Sequence, residues 1–273
     1  MWQEKEDHMR RITTTLAVAL LVTASITTPA LADAPDGPVH IALGDSIAAG
    51  SGANNHDRTA YVPRLNRWLR PVDCVEGGPA ACPHLQLSDY AVGGAVSDDL
   101  VADQLPAAVA EIVARGGDAD PGNDVVYVTV TIGGNDLFRP VIEVCGAGVT
   151  DECKNTIGAL FVNYQQNLGL ILGTLRAAAP NAEIAIMTYD NPLGSCVLAD
   201  LAPLADLVLE GGGPLALGLN DIIRGVADAV GGVTVVDIYG TLSLTDFVGG
   251  DDCLHPDDSG HRKIARAYLE AMT

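Results

Sequence analysis

The sequence is poor in aromatic and in basic residues, and both shortages restrict what the protein can be. Phe, Trp and Tyr make up 4% of the 273 residues, so Val, Ala, Leu and Ile must fill most of any core. Fifteen Lys and Arg stand against 35 Asp and Glu, which gives a formal net charge of −20. Because a surface of that sign repels a phosphate backbone, no nucleic-acid partner is expected.

The sequence also lacks the patterns of a metal site and of several domains. It has no Cys-x-x-Cys pair, and its histidines are not interleaved with the cysteines at ligand spacing. We therefore expect no metal. After residue 32 it contains no internal repeat and no linker rich in Pro or Ser, so residues 33–273 are expected to form a single domain.

The first 32 residues have the three parts of an export signal in the right order. A short basic region precedes an apolar stretch, and a small-x-small cleavage site ends at Ala32. The apolar stretch is shorter than the ~20 residues that a spanning helix needs. We expect residues 1–32 to be removed as a signal peptide and residues 33–273 to be secreted. Met9 is an alternative start, because the acidic residues before it suit a signal badly.

Six cysteines follow this segment, and an even number in an exported chain suggests three disulfides. Spacing alone does not choose among the many connectivities. Two close pairs look like local loops, and the two remaining cysteines would then join distant segments. The suggested pairs are Cys74 with Cys82, Cys145 with Cys153, and Cys196 with Cys253.

Five apolar runs are predicted as strands, with helical segments between and after them. Several runs are continuous rather than alternating, which is typical of a parallel sheet buried on both faces. The alternation predicts an α/β protein with a three-layer α/β/α fold and a mostly parallel central sheet of about five strands. The predicted strands are Val39–Leu43, Leu85–Val92, Val125–Ile132, Ala182–Thr188 and Val233–Ile238. The predicted helices are Asp98–Ala114, Leu160–Ala179, Asp221–Val230 and Asp257–Met272.

A serine follows the first predicted strand, in Gly44-Asp45-Ser46-Ile47. Open α/β folds bind their ligands at the carboxyl ends of the strands. The small residues after Ser46 would let a substrate carbonyl approach the backbone. Since a serine after a strand is often only a helix cap, Ser46 becomes a candidate nucleophile only if a base accompanies it.

A candidate base lies just before the last predicted helix, in Asp252-Cys253-Leu254-His255-Pro256. On a tight turn, Asp252 can hold one ring nitrogen of His255 and leave the other free for a serine hydroxyl. Asp251 competes with Asp252 for this role, and the spacing favours Asp252. The remaining histidines are expected to be structural, and they are His40, His56, His84 and His261.

Two glycine-containing blocks are candidates for the donors that acyl transfer needs at its oxyanion. Gly133-Gly134-Asn135-Asp136 follows the third predicted strand, and the side-chain amide of Asn135 can donate. The pair Gly93-Gly94 follows the second predicted strand, and either backbone amide can donate. Each block alone also fits an ordinary turn or helix cap.

Taken together, these four blocks resemble the SGNH (GDSL-type) hydrolase family. They occur in the family's order, Gly-Asp-Ser, a glycine block, Gly-x-Asn-Asp and Asp-x-x-His, and span Leu43 to His255. The chain is similar to secreted actinobacterial members of that family. The resemblance implies a flavodoxin-like three-layer fold, no cofactor, and a serine esterase or lipase that acts through an acyl-enzyme.

Carried onto this sequence, the resemblance assigns roles to individual residues. It implies a catalytic triad of Ser46, His255 and Asp252. It implies an oxyanion hole formed by the backbone amides of Ser46 and Gly94 and by Asn135. Gly94 is preferred to Gly93 because Ala-Val-Gly-Gly-Ala resembles the family's Ala-Val-Ser-Gly-Ala form.

The substrate is left open by the sequence. The apolar stretch Val197–Leu219 fits either a flap over the site or an ordinary part of the core, and it favours acyl lipids over an acetylated polysaccharide.

The nucleophile elbow of the α/β-hydrolase fold is disfavoured as an alternative, since Ala48 stands where the second glycine of Gly-x-Ser-x-Gly is needed. A non-catalytic carbohydrate- or wall-binding module is a further alternative, although a binder has no need of the triad. The expected partner is a small-molecule or lipid ester, with transient contact at a lipid interface left open and no obligate protein partner.

Overall fold

A five-stranded parallel sheet organises the computed structural model, which describes residues 37–70, 85–146 and 148–273. The strands are β1 Val39–Gly44, β2 Gln86–Asp89, β3 Val125–Thr131, β4 Glu183–Met187 and β5 Val233–Val236. They lie across the sheet in the order β2-β1-β3-β4-β5, and every pairing is parallel. The predicted signal segment and the pair Cys74 and Cys82 lie outside the described residues, as does His84.

Helices cover both faces of this sheet. They are α1 His56–Thr59, α2 Tyr61–Leu69, α3 Ser97–Asp99, α4 Leu105–Gly116, α5 Gly134–Cys145, α6 Asp151–Ala178, α7 Ala202–Glu210, α8 Leu219–Val230 and α9 Asp258–Met272. Successive β1 side chains alternate between two cores, with Ile41 and Leu43 on one face and Ala42 on the other. Helices α4, α5, α6 and α8 pack on the first core, and α2 and α9 on the second. The predicted three-layer α/β fold is confirmed.

The predicted elements differ from the observed ones mainly at their ends. Strand β2 is shorter than predicted and only partly buried, because it is one of the two edge strands of the sheet. Helix α6 begins well before Leu160, since the Thr150 side chain caps it by accepting the backbone N–H of Cys153 at 3.2 Å. Helices α2 and α5 were not predicted, and Pro140 lies inside α5.

A small antiparallel hairpin, β6 Phe247–Gly249 and β7 Asp252–Pro256, precedes α9. The Asp-x-x-His segment therefore lies on a strand rather than on the isolated turn that its spacing suggested. A disulfide from Cys196 to Cys253 joins this strand to the loop after β4, and a second, from Cys145 to Cys153, joins the end of α5 to the start of α6. Both pairings are among the three that the spacing suggested.

The apolar stretch Val197–Leu219 contains α7 and leads into α8. Val208 on α7 and Leu215 after it are buried in the core that lies under α8. This agrees with the ordinary-core alternative. Among the helices of the described residues, none combines the length and apolarity needed to cross a membrane.

Candidate active site

The candidate site lies where the strand order of the sheet reverses. Strands β1 and β3 are neighbours, but the chain leaves β1 toward β2 on one side and leaves β3 toward β4 on the other. The loops diverge at such a switch point and leave a crevice at the carboxyl ends of the strands. Ser46 follows β1 and Asn135 follows β3, and both line this crevice.

Ser46, His255 and Asp252 form a continuous hydrogen-bonded row. His255 Nε2 lies 2.9 Å from Ser46 Oγ, and His255 Nδ1 lies 2.9 Å from Asp252 Oδ2. Because a carboxylate only accepts hydrogen bonds, Nδ1 carries the ring proton. Nε2 is then unprotonated and can accept the proton of the serine hydroxyl.

Asp252 is held in the ionised form by hydrogen bonds from the strand that carries it. Burial raises its pKa, but the backbone N–H of Leu254 and the ring and backbone N–H of His255 outweigh burial and hold the pKa below its ordinary value. Both backbone donors lie 3.0 Å from Asp252 Oδ1. The carboxylate is therefore charged at neutral pH and oriented toward the histidine ring.

Asn135 is fastened to the neighbouring glycine block. Its Nδ2 donates to the carbonyl of Ala95 at 2.9 Å, which leaves the second amide hydrogen available for another acceptor. The next residue, Asp136, accepts the backbone N–H of Ser97 at 3.0 Å and also its hydroxyl. These bonds join the start of α5 to the chain around Ala95.

Gly94 and Gly93 differ in backbone conformation. Gly94 has a φ of +83°, in the region that favours glycine, whereas Gly93 is not among the described glycines with positive φ. Gly94 also lines a groove together with Asn135. The structure thus brings Gly94, Asn135 and Ser46 to adjoining spaces at one edge of the sheet.

Residues 42–263 match the model of the GDSL-like lipase/acylhydrolase family. The chain belongs to this family. It is accordingly a carboxylic ester hydrolase, and the family predicted from the four sequence blocks is confirmed.

Relatives of this GDSL hydrolase include a Streptomyces lipase and solved structures of similar fold. The chain is 29% identical over 270 residues to Lipase 2 of Streptomyces coelicolor, covering 85% of each protein. The lipase Lip_vut3 from a goat rumen metagenome covers 85% of this chain and 96% of its own, at 19% identity and a TM-score of 0.59. Axe2, an acetylxylan esterase from Geobacillus stearothermophilus, covers 87% of this chain and 96% of its own, at 17% identity and a TM-score of 0.51.

The backbone before Ser46 in this GDSL hydrolase is fixed by a distant glutamine. The Gly44 N–H donates to Gln104 Oε1 at 2.8 Å, and the Gly44 carbonyl accepts from Gln104 Nε2 at 2.9 Å. Gly44 has a φ of +147°, and a Cβ there would lie 2.2 Å from the Thr131 carbonyl oxygen. Sequence reasoning missed Gln104, because no local pattern links it to the serine.

Asp45 is a buried carboxylate to which the sequence analysis gave no role. Its Oδ1 accepts the Ile47 N–H at 2.9 Å, and its Oδ2 accepts the Tyr189 hydroxyl at 2.7 Å. Burial raises the pKa of Asp45 to about 6, although the bond from Tyr189 opposes the rise. The backbone N–H and carbonyl of Tyr189 are in turn held by the Asn220 amide, at 2.8 and 2.9 Å. The sequence could have pointed to Tyr189, because this residue directly follows the predicted strand Ala182–Thr188.

His261 supports the loop that follows Ser46. Its Nε2 donates to the Ser51 carbonyl at 2.9 Å, and its Nδ1 accepts the Tyr61 N–H at 3.3 Å. Burial lowers the pKa of His261, so the ring stays neutral and satisfies both partners. The next residue in the loop, Gly52, has a φ of +89°, and a Cβ there would lie 2.9 Å from Cβ of His255. A glycine is thus needed for the serine loop to pack on the hairpin.

Proposed function

We propose that this GDSL hydrolase cleaves carboxylic esters in two acyl-transfer steps, with Ser46 as nucleophile, His255 as general base and Asp252 as the group that orients the base. The observation that supports this most strongly is the row of two 2.9 Å contacts, from Ser46 Oγ to His255 Nε2 and from His255 Nδ1 to Asp252 Oδ2. A serine hydroxyl is a weak nucleophile until a neighbouring base takes its proton.

In the first step, Ser46 Oγ bonds to the ester carbonyl carbon while His255 Nε2 takes the hydroxyl proton. The carbonyl π electrons move onto the oxygen, which accepts hydrogen bonds from the backbone amides of Ser46 and Gly94 and from Asn135 Nδ2. Asp252 stabilises the imidazolium. The bond to the alcohol oxygen then breaks, and His255 protonates the departing alcohol, which leaves an acyl-enzyme.

In the second step, water takes the place of the alcohol. His255 removes a proton from water as its oxygen bonds to the acyl carbon, and the same donors hold the oxyanion. The bond to Ser46 Oγ breaks, His255 returns the proton to the serine, and the free acid leaves. No cofactor enters this scheme.

Labelling with a fluorophosphonate tests the nucleophile. Intact mass and peptide mapping are expected to show one adduct, on Ser46. Ser46→Ala is expected to lower kcat on p-nitrophenyl acetate at least about 10⁴-fold, because the base then has no hydroxyl to activate. Ser51→Ala, in the same loop, serves as the matched control and is expected to keep the wild-type rate. An adduct on another residue, or full activity of Ser46→Ala, contradicts the assignment.

We also propose that residues 1–32 direct export and that residues 33–273 act outside the cell as a single domain. The disulfides Cys145–Cys153 and Cys196–Cys253 support this, because such bonds persist in oxidising compartments.

A second candidate function is removal of acetyl groups from a polysaccharide by the same residues. The groove beside Asn135 has a volume of about 680 Å³ and is lined partly by the charged, exposed Arg139 and Glu143, which suit sugar hydroxyls. The fold likeness to an acetylxylan esterase agrees with it. Acetate release from acetylated xylan, compared with hydrolysis of p-nitrophenyl octanoate, separates the two candidates.

A further inference from the structure

The chain that follows Gly94 reaches the other two proposed oxyanion donors as well. We call residues 95–104 the brace segment. The carbonyl of its first residue accepts Asn135 Nδ2 at 2.9 Å. Its last residue, Gln104, lies beside Gly44, two positions before the proposed nucleophile. One short segment therefore connects the three loops that carry the donors.

Gln104 is buried, and its carboxamide binds both backbone groups of Gly44. Its Oε1 accepts the Gly44 N–H at 2.8 Å, and its Nε2 donates to the Gly44 carbonyl at 2.9 Å. The same carbonyl accepts the backbone N–H of Val92, two residues before Gly94, at 3.0 Å. Gly44 is thus the point at which the loop of Ser46, the loop of Gly94 and the brace segment are joined.

A π-helical turn, Leu100–Gln104, brings the carboxamide to this point. The turn lies between α3 and α4, and the backbone N–H of Leu105 donates to the carbonyl of Leu100 five residues earlier. Turns of this kind are rare and frequently lie at functional sites. Leu100 and Leu105 are both buried in the core, with Gln104 between them. The turn therefore holds the Gln104 side chain on the inner side of the chain, against β1.

The direction of the Ser46 N–H depends on the backbone that Gln104 binds. The Gly44 carbonyl belongs to the peptide group shared with Asp45, and the next peptide group carries the Ser46 N–H. The Asp45 N–H donates to the Thr131 carbonyl at 2.9 Å. Without Gln104, the buried N–H of Gly44 would lose its acceptor, and the chain would move to find another. Oxyanion donors are effective because they are already oriented when the charge develops, so such a movement lowers their effect.

We propose that Gln104 is a positioning residue, which holds the backbone amides of Ser46 and Gly94 in the orientation that stabilises the oxyanion. The inference rests on the proposed function, because the oxyanion forms only when Ser46 attacks an ester. Gln104 is not among the residues that line the crevice, and it acts on the reaction through Gly44. Its side chain must be uncharged, since it has to accept from one group of Gly44 and donate to the other.

Gln104→Met keeps the length of the side chain and removes both hydrogen bonds. We expect kcat on p-nitrophenyl acetate to fall about 10- to 100-fold, less than for complete loss of a donor, with KM changed by less than about threefold. The acid limb of the pH–rate profile is expected to stay in place, because His255 does not contact Gln104. Rates are counted per molecule that a fluorophosphonate labels at Ser46, so unfolded protein does not contribute. Gln165→Met, the same exchange at an exposed position on α6, is the matched control and should change neither constant.

Gln104→Glu tests the need for an uncharged group and keeps the side chain the same size. A protonated carboxyl can still accept the Gly44 N–H and donate to the Gly44 carbonyl, whereas an ionised one turns a bare oxygen toward that carbonyl. Burial raises the pKa of such a carboxyl into the range of the assay. We therefore expect the kcat of Gln104→Glu, divided by that of the wild type, to fall at least about tenfold from pH 6 to pH 9.

The inference is overturned, with the proposed function left standing, by any of three results. They are a kcat of Gln104→Met within about twofold of the wild type, a loss in that variant that appears in KM or shifts the acid limb, and a Gln104→Glu rate ratio that is equal at pH 6 and pH 9. Should Gln104→Met not fold, Gln104→Glu decides alone. Failure of the proposed function is distinguishable, because the wild type would then take no fluorophosphonate at Ser46.

Discussion

At the scale of single residues, the adjacent carboxylates Asp251 and Asp252 offer a matched test of the triad. Asp252 contacts the His255 ring, whereas Asp251 is exposed. Asp252→Asn can still accept the backbone N–H groups of Leu254 and His255, but its amide no longer holds the ring proton on Nδ1. We expect kcat to fall roughly 10³- to 10⁴-fold in Asp252→Asn.

Steady-state kinetics on p-nitrophenyl acetate, with circular dichroism to verify folding, measures this effect. Asp251→Asn is the control and should stay within about twofold of the wild type, since the exposed Asp251 charge is surrounded by water, which weakens its effect on His255. Equal losses in the two variants would show that the carboxylate next to the ring has no special role.

The site residues that the sequence predicts are those whose chemistry is visible in a short pattern. Ser46 and Asn135 each follow a predicted strand and stand next to glycine or an acidic residue, and His255 has an acidic residue three positions before it. Gln104 and Asn220 have no such pattern, because they act through backbone groups that are distant in sequence. Contacts of this kind become visible only when the fold is known.

At the scale of elements, the hairpin of β6 and β7 carries both His255 and Asp252 although its strands are short. The disulfide Cys196–Cys253 anchors it across a sequence separation of 57, while Cys145–Cys153 closes a separation of only 8. Closing the longer loop restricts the unfolded chain more. Cys196→Ser with Cys253→Ser is therefore expected to lower the free energy of unfolding by roughly 4 kcal/mol, against roughly 2.5 kcal/mol for Cys145→Ser with Cys153→Ser.

Urea unfolding of the two double variants measures both free energies of unfolding, and kcat of each variant is a second measurement. The Cys196/Cys253 pair holds β7, so its removal should also lower kcat, whereas loss of the other pair should leave kcat close to the wild type. An inverted order of stability would mean that the loop length does not control the effect.

The elements themselves were predictable where the sequence pattern is long and simple. Continuous apolar runs predicted four of the five strands of the sheet nearly in place, because a parallel sheet covered on both faces needs apolar side chains on both. Helix α5 was missed since Pro140 argues against a helix interior, although here it lies within the second turn. The hairpin was missed because its pairing depends on the disulfide and on neighbouring loops rather than on an alternating pattern.

At the scale of the whole molecule, two buried groups near the first strand make stability depend on pH in opposite directions. Burial raises the pKa of Asp45 to about 6, so the folded chain keeps a proton that the unfolded chain has lost. The stability that Asp45 contributes is thus present below about pH 4 and is lost as the pH rises to about 6. Burial lowers the pKa of His40 to about 3, so its contribution is present above about pH 6.5 and is lost as the pH falls.

Asp45→Asn separates these opposing effects. Relative to the wild type, its free energy of unfolding is expected to increase by up to about 3 kcal/mol between pH 4 and pH 7, because the variant has no carboxyl to ionise. Urea unfolding at pH 4, 5, 6 and 7 measures the difference, and His40→Gln should show the reverse trend. A difference between Asp45→Asn and the wild type that stays constant over this range would contradict the raised pKa.

The switch point of the sheet explains why distant sequence blocks meet. The loops after β1, β2 and β3 emerge on adjacent strands, so Ser46, Gly94 and Asn135 come together through topology alone. The apolar cavity between α5 and α7 could not be predicted in this way, since its walls come from two helices that are distant in the sequence.

The carboxamide of Gln104 binds both backbone groups of Gly44, whose carbonyl also accepts the Val92 N–H at 3.0 Å from the chain that follows β2. Both backbone groups of Gly44 are therefore satisfied at the end of β1 that faces the crevice. A transplant of the serine loop into another scaffold therefore requires this glutamine, sixty positions downstream of Gly44, or a substitute for it.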